Sequence, residues 1–167
     1  MTVNNREFYS QLKFLNKIKK ALLLPALFKY QREIMLKLEG YKMETIQSVL
    51  DNYFASWNEG FISKNGDTIK QFMSSKFIGY WAHSNIDEPE VYGYDYDING
   101  VLKQTDHAIK SFEVSSITSR KNGLEYLILG KETNLINGTP YCAQCMFIWR
   151  KEQQSWKLLR EYIELES

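Results

Sequence analysis

The chain has few cysteines and histidines, and this scarcity limits the metal and redox chemistry that it can support. Two cysteines and two histidines occur in 167 residues. Cys142 and Cys145 have the spacing of a redox pair or of half a zinc site, but they fall inside a predicted strand, where residues three apart point to opposite faces. A zinc site would need two further ligands, for which only His83 and His107 are present. We interpret both cysteines as small apolar strand residues and expect no metal and no cofactor.

Neither sign of charge is in excess. The chain has 21 basic and 20 acidic side chains and a formal net charge of +1. Such a chain has no global field that would hold a polyanion. We therefore expect no nucleic-acid partner.

Long hydrophobic runs are also missing. No run reaches the roughly 18 apolar residues that are needed to span a bilayer. The best candidate, residues 21–28, is short and contains Pro25, and no small-residue cleavage site follows it. The sequence predicts an uncleaved, cytoplasmic protein.

What the chain does have is a long C-terminal meander. Apolar residues make up 44% and aromatic residues 14% of the chain, enough for a packed core. Residues 124–134, 139–151 and 155–164 are rich in β-branched and aromatic side chains, and only turn residues separate them. Asn137 and Gly138 tolerate the positive φ of a tight hairpin. Strands of about nine to twelve residues, against a usual five or six, predict a curved sheet that can wrap a cavity.

Helical patterns precede this meander. Apolar residues at positions 46, 49, 50, 53, 54 and 57 form one stripe, which predicts a helix from the N-cap Thr45 to Gly60. A short helix is predicted from Asp67, a strand over residues 76–83, a third helix from Thr105 and a strand over residues 114–120. An apolar stripe of this width needs a sheet to cover.

Residues 1–42 differ in character from the rest. Apolar residues recur there at helical spacing with lysines between them, which predicts a helical N-terminal extension before a domain of residues 43–167. The interpretation that we favour is an extension that packs on its own domain or on a second subunit. The alternative is contact with a membrane surface or a partner through residues 1–42.

One acidic loop has part of a calcium-binding pattern. Asp95, Asp97 and Asn99 match the first ligand positions, but Asp106 replaces the bidentate Glu, and Pro89 prevents a preceding helix. We interpret the segment as a turn and not as a metal site.

Three segments together resemble a known superfamily. Residues 46–77 look like its first two helices, with the chain turning through Trp57, Asn58, Glu59 and Gly60. Residues 97–112 resemble its turn, short strand and third helix, and residues 146–164 resemble its closing hairpin. In this order, residues 43–164 resemble the nuclear transport factor 2-like superfamily, and in particular its SnoaL-like branch.

The resemblance implies an α+β fold, a cone-shaped, strongly bent, mostly antiparallel sheet wrapped around three helices. Members hold a pocket in the open end of the cone, and many pair as homodimers through the outer face of the sheet. Their functions range over isomerases, dehydratases, cyclases, small-molecule binders and assembly modules, so the fold does not fix the function.

The resemblance also suggests where an active site would lie. Isomerase-like members have a carboxylate base near the end of the first strand. The corresponding residues 80–83 of this chain contain no carboxylate, and the first one after them is Asp87. His83 could act as the base and Tyr80 as the hydrogen-bond donor. The structural interpretation is a strand-end histidine that is satisfied by the backbone or water, beside a tyrosine in the pocket wall.

Aromatic residues are the stronger lead. A pocket lined by aromatic rings with few polar groups suits a flat or apolar small molecule. The candidate ligand-binding residues are Trp57, Phe61, Tyr80, Trp81, Tyr94 and Trp149.

Charged residues of the meander are expected to face solvent. We place Glu132 opposite about Gln144, which predicts no ion pair between Glu132 and Arg150. Arg160 and Glu161 are likewise expected on the outer face, because an unpaired buried charge is costly. A charge that faced the cavity would instead be functional.

The first functional hypothesis is a non-catalytic, small-molecule-binding or assembly module of the SnoaL-like type that forms a homodimer. Its partner would be a small apolar or aromatic molecule. The alternative is a small proton-transfer enzyme, similar to an isomerase, dehydratase or cyclase, that uses His83 and Tyr80.

Overall fold

The computed structural model describes residues 44–166 of the chain. The predicted extension over residues 1–42, with its helices and its possible docking partners, lies outside these residues. No helix of the described part is long and apolar enough to cross a membrane.

The described residues form three helices and six strands. The helices are α1 (Ile46–Ser63), α2 (Asp67–Gln71) and α3 (Ile98–Lys103). The strands are β1 (Met73–His83), β2 (Glu90–Gly93), β3 (Ala108–Arg120), β4 (Glu125–Ile136), β5 (Thr139–Glu152) and β6 (Ser155–Leu165).

All six strands belong to one curled, open sheet in the order β2-β1-β6-β5-β4-β3. Only the β1–β6 pair is parallel. The predicted meander is confirmed, with strands of 12, 14 and 11 residues for β4, β5 and β6. Asn137 and Gly138 have φ values of 50° and 85°, as the tight turn between β4 and β5 requires.

Helix α1 packs its apolar stripe on the concave face of the sheet. Thr45 accepts a hydrogen bond from the Ser48 N–H and caps the helix as predicted. The predicted end at Gly60 is wrong, because the helix continues to Ser63 and Lys64 takes the left-handed conformation at φ 58°. Gly60 instead allows close packing, since a Cβ there would lie 3.1 to 3.2 Å from side-chain atoms of α2 and α3.

The third predicted helix is also wrong in position. The segment after Thr105 is the first part of β3, which pairs with β4 from Ala108 onward. The helix lies earlier, where the Asp97 carboxylate accepts the Gly100 N–H at 2.9 Å and caps α3. Pairing along a twelve-residue neighbouring strand outweighs a local helical pattern. In residues 44–166, no three His, Cys, Asp or Glu side chains cluster in a way that could hold a metal ion.

Backbone irregularities curl the sheet. The pairing of β3 with β4 shifts between Val114 and Ser116, beside Gly130. A Cβ at Gly130 would lie 2.3 Å from the Glu113 carbonyl oxygen and 2.4 Å from the Phe112 ring, so the bend requires glycine. A second shift, between β5 and β6, skips Leu159.

Aromatic packing fills the end of the cone near the β5–β6 turn. Tyr53 of α1 meets Trp149 edge to face at a centroid distance of 5.4 Å, and Phe54 stacks on Phe112 at 5.1 Å. Trp149 and Phe147 are fully buried there. This end of the cone is solid core.

The two cysteines lie on opposite faces of β5, as the strand alternation predicts. Cys145 is buried on the concave side, and Cys142 pairs with Thr133 on the convex side. Burial raises the pKa of the Cys145 thiol well above its ordinary value. A buried thiol of this kind is not a reactive one.

Candidate functional site

A cavity of about 480 Å³ occupies the other end of the cone. Its aromatic walls come from α1, β1, β2 and the loop before α3, and they consist of Tyr53, Trp57, Trp81, Tyr92 and Tyr96. Its polar groups are Glu90, Gln104, Lys110, Glu132, Asn134 and Glu161. Apolar walls with a few converging polar groups are typical of a small-molecule site.

Glu161 is the central polar group of the cavity. It lies on the concave face of β6 and is only 4% exposed. The Tyr92 hydroxyl donates a hydrogen bond to Glu161 Oε1 at 2.5 Å. Burial raises the pKa of Glu161 to about 7, although the Tyr92 hydrogen bond and the Lys110 ammonium oppose the shift. A carboxyl group in this state can hold or release a proton near neutral pH.

Three tyrosines surround this carboxyl group. Burial, and then the charge of Glu161, raise the pKa of Tyr53, Tyr92 and Tyr96 well above their ordinary values. Their hydroxyl groups therefore stay protonated at neutral pH and can donate hydrogen bonds. Tyr92 and Tyr96 also pack against each other, with their rings 5.0 Å apart.

Gly79 makes the contact between Tyr92 and Glu161 possible. It is the register partner of Tyr92 on one side and of Glu161 on the other. A Cβ at Gly79 would lie 2.4 Å from the Tyr92 ring and 2.8 Å from its hydroxyl oxygen. The tyrosine therefore lies across β1 only because residue 79 has no side chain.

An ion pair forms the opposite wall. Lys110 Nζ lies 2.7 Å from Glu132 Oε1, and both side chains are largely buried. The ammonium also lies 4.5 Å from the centre of the Trp57 ring, a cation–π distance. The Asn134 Nδ2 group donates to the same Glu132 oxygen at 2.7 Å.

Asn58 of α1 fixes the position of Lys110. Its amide accepts the Lys110 N–H at 2.7 Å and donates to the Lys110 carbonyl oxygen at 3.0 Å. The side chain thus pairs with the backbone of β3 as a neighbouring strand would, and it holds α1 against the sheet.

Comparisons with known proteins find similarity in structure only. No protein-family model matches the sequence, and no curated protein matches it. An NTF-2 like protein of unknown function from Shewanella oneidensis has a TM-score of 0.54 at 9% identity, over 72% of this chain and 99% of that one. A domain of unknown function with a cystatin-like fold from Nostoc punctiforme has a TM-score of 0.55 at 10% identity, over 75% and 80%.

The same architecture recurs in an NTF-2 like protein of unknown function from Silicibacter pomeroyi, with a TM-score of 0.52 at 9% identity over 73% of this chain and 99% of that chain. The chain has the nuclear transport factor 2-like fold. This confirms the predicted fold, an α+β cone of the nuclear transport factor 2-like type. At these identities the likeness concerns the fold, and the function of a nuclear transport factor 2-like domain depends on its own cavity.

The structure brings only some of the predicted ligand-binding residues to this cavity. Trp57 and Trp81 line it. Phe61 is buried beside Trp57, at a ring distance of 5.9 Å, and Trp149 lies in the solid core. Tyr94 lies in the loop after β2, where the Lys70 ammonium is 4.6 Å from its ring centre.

The proposed base and donor lie on opposite faces of β1. Tyr80 pairs with Tyr162 on the convex face, whereas His83 follows Trp81 on the concave face at the end of the strand. The His83 ring lies at 24° to the Trp81 ring, with the ring centres 6.3 Å apart, and its Nδ1 accepts the Asn85 N–H at 3.1 Å. Neither residue lines the cavity.

The expectation that the meander charges face solvent is wrong for Glu132 and Glu161, which are buried and line the cavity. It holds for Arg150 and Arg160, which lie on the convex face. The predicted absence of an ion pair between Glu132 and Arg150 is confirmed, because Glu132 pairs with Lys110 and Arg150 with Glu125. The register differs by one residue, since Glu132 lies opposite Ala143.

None of the polar groups of the cavity was predicted from the sequence as a site residue; they are Glu90, Gln104, Lys110, Glu132, Asn134 and Glu161. Alternation along β4 could have found Glu132 and Asn134, because both share a face with the buried Ile128. Lys110 was hidden by the wrongly predicted helix. Glu161 was hidden by the irregularity at Leu159, which reverses the alternation along β6.

Proposed function

We propose that this nuclear transport factor 2-like domain binds a small aromatic or apolar molecule in the cavity, as a binding module of the SnoaL-like type. The observation that carries the proposal is the buried Glu161 carboxyl group at the centre of an open, aromatic-walled space. A buried carboxyl group costs stability unless something offsets the cost. Such groups concentrate at functional sites.

The geometry divides the cavity into two regions. The aromatic rings provide flat apolar surface for a ligand, while Glu161, Asn134 and the tyrosine hydroxyls provide hydrogen-bonding groups at fixed positions. Glu161 is held by Tyr92, and Lys110 by Asn58 and Glu132. Because these groups are pre-positioned, a ligand does not have to pay for ordering them.

Proton transfer is the second candidate function, and the pKa of about 7 for Glu161 favours it. The ionised carboxylate would accept a proton from a carbon next to a carbonyl group. A tyrosine hydroxyl would donate a hydrogen bond to the carbonyl oxygen as charge develops there. In this version Glu161 replaces His83 as the base, and Tyr53 or Tyr96 replaces Tyr80 as the donor.

A single NMR experiment with 2-tetralone, a flat neutral ketone, tests both functions. We expect amide shifts at cavity residues, and about tenfold weaker binding in Trp81→Ala, which loses one ring of the wall. The matched control is Ile62→Ala, because Ile62 is 85% exposed on α1 and does not line the cavity. Shifts confined to residues outside the cavity, or equal binding by Trp81→Ala, would contradict the proposal.

The same sample discriminates binding from catalysis. In deuterated buffer, a proton-transfer site accelerates exchange of the ketone α-protons, and Glu161→Gln removes the acceleration. A pure binding module leaves the exchange rate unchanged while the cavity amides still shift.

The proposal includes a homodimer that forms through the convex face of the sheet. One row across that face runs through Tyr80, Tyr162, Met146 and Leu129, which are register neighbours on four adjacent strands. Leu129 and Met146 are 41% and 37% exposed. A contiguous apolar row of this kind suits a self-complementary contact with a second copy.

Light scattering after size-exclusion chromatography tests the dimer. We expect the protein to elute as a dimer and Leu129→Lys to elute as a monomer, because a charge in this apolar row would be buried in the contact without a partner. Ile62→Lys, on an exposed position of α1, should remain dimeric. A monomeric parent protein, or a dimeric Leu129→Lys variant, would contradict the convex-face dimer.

A further inference from the structure

We infer that the ligand of the cavity is a small organic ammonium ion, held between the Glu161 carboxylate and the aromatic walls. This inference rests on the proposed binding function and specifies the chemical class of the ligand. It follows from the charge, the hydrogen-bonding capacity and the ring content of the cavity.

The charges that line the cavity are mostly negative. Within residues 44–166, three carboxylates, Glu90, Glu132 and Glu161, and one ammonium, that of Lys110, line the cavity. Lys110 is already bound to Glu132 at 2.7 Å. Among residues 44–166, no ion pair includes Glu161. The carboxylate in the middle of the cavity therefore has room for an external cation.

Unused hydrogen-bond acceptors point the same way. Asn134 lines the cavity, and its Nδ2 group donates a hydrogen bond to Glu132. Its Oδ1 atom is buried without a hydrogen-bond partner in the described part of the chain. An ammonium group brings only donors, which suits a cavity where buried side-chain oxygens such as this one still lack a donor.

The walls suit a cation as well. Tryptophan and tyrosine rings present a negative face that attracts ammonium groups, most strongly where water is excluded. Lys110 lies 4.5 Å from the Trp57 ring centre, which shows that one wall of this cavity already holds an ammonium. Trp81, Tyr53 and Tyr96 provide further rings around Glu161.

Anions and neutral molecules fit less well. An anionic ligand would approach Glu132 and Glu161 and would have to compete with Glu132 for Lys110. A neutral ligand would leave Glu161 partly protonated and would gain no charge-assisted hydrogen bond from it.

Binding of a cation is coupled to the protonation of Glu161. The ionisable groups around Glu161 are Tyr53 on α1, Glu90 and Tyr92 on β2, Tyr96 before α3, Lys110 on β3, Glu132 on β4 and Cys145 on β5. The tyrosines stay neutral near pH 7, because their pKa values are raised. The carboxyl group, whose pKa is raised to about 7, must ionise to pair with the cation. Affinity for a cation should therefore rise about tenfold between about pH 6 and about pH 8.

Calorimetry with three matched probes tests the inference on the full chain. The probes are 2-phenylethylammonium, its neutral analogue 2-phenylethanol and the anion phenylacetate. At about pH 8 we expect the ammonium to bind about tenfold or more tightly than the alcohol, and the anion to bind most weakly. In Glu161→Gln, the preference for the ammonium over the alcohol and its rise with pH should both disappear.

Each outcome decides between the two claims. Equal affinity for ammonium and alcohol, or a preference for the anion, would overturn the cation inference and leave the binding function in place. Binding of the ammonium that does not change with pH, or that persists in Glu161→Gln, would overturn the role of Glu161. If no probe binds, both the inference and the proposed binding function fail. Because the three probes are compared on the unmodified protein first, the test does not depend on the folding of a variant.

Discussion

Glu161→Gln will be more stable than the parent protein at about pH 8, and this advantage will shrink by about 3 kcal/mol on going to about pH 4.5. The folded-state pKa of Glu161 is about 7, against an ordinary value of 4.5. Between these values the folded state binds more protons than the unfolded state, so the stability of the parent falls as pH rises. Glutamine does not titrate and removes this dependence.

Urea unfolding of both proteins at the two pH values measures this effect. Other groups, such as Glu125 with its lowered pKa, also make the stability depend on pH. They contribute equally to both proteins, so their contribution cancels when one free energy of unfolding is subtracted from the other. Tyr92→Phe provides a second comparison. It removes the hydrogen bond that stabilises the carboxylate at 2.5 Å, so its total loss of stability between about pH 4.5 and about pH 8 should be larger than that of the parent. A pH-independent difference between Glu161→Gln and the parent would mean that the carboxyl group is not buried.

The second large effect concerns the curvature of the sheet. Gly130→Ala should lower the free energy of unfolding by about 3 kcal/mol, because the new methyl group would collide with the backbone of β3 and with the Phe112 ring. The Phe112 ring cannot move freely, since it stacks on Phe54 and packs against Phe147 with ring centres 5.1 Å apart. Thermal and urea unfolding measure the change.

Gly93→Ala is the matched control for this substitution. Its Cβ would have only the Phe77 carbonyl oxygen at 4.0 Å as a neighbour, so the effect should stay below about 1 kcal/mol. If both glycine variants were equally stable, the close approach of β3 to Gly130 would be wrong, and with it the source of the curl.

Much of the fold could be predicted from the sequence because local and global preferences agree there. The stripe from Ile46 to Trp57 has helical period, a suitable cap in Thr45 and a sheet to cover, and the structure confirms all three. The meander combines β-branched residues with an Asn-Gly turn, and its strands end within a few residues of the predicted positions. Agreement between propensity and pattern is the condition under which sequence reasoning works.

The errors occur where a distant contact decides the local structure. Residues after Thr105 have a helical pattern, yet pairing with β4 makes them a strand. Gly60 could end a helix, yet it serves the packing of Ile69 and Leu102. No local signal reports such contacts.

The candidate site was the least predictable part for the same reason. Alternation from Trp156 and Leu158 would place Arg160 on the concave face and Glu161 on the convex one. The skipped residue Leu159 reverses the alternation, so that Glu161 pairs with the buried Phe147 and enters the cavity. One extra residue in a strand therefore determines which charge the cone contains.

The central claim is that Glu161 lies in the cavity as a buried carboxyl group, and its titration tests this most directly. Carbon-13 NMR of the glutamate carboxyl signals, with Glu161 assigned by its absence from Glu161→Gln, should show a midpoint near pH 7. A midpoint near the ordinary value of 4.5 would place the carboxyl group in solvent and contradict the proposed site.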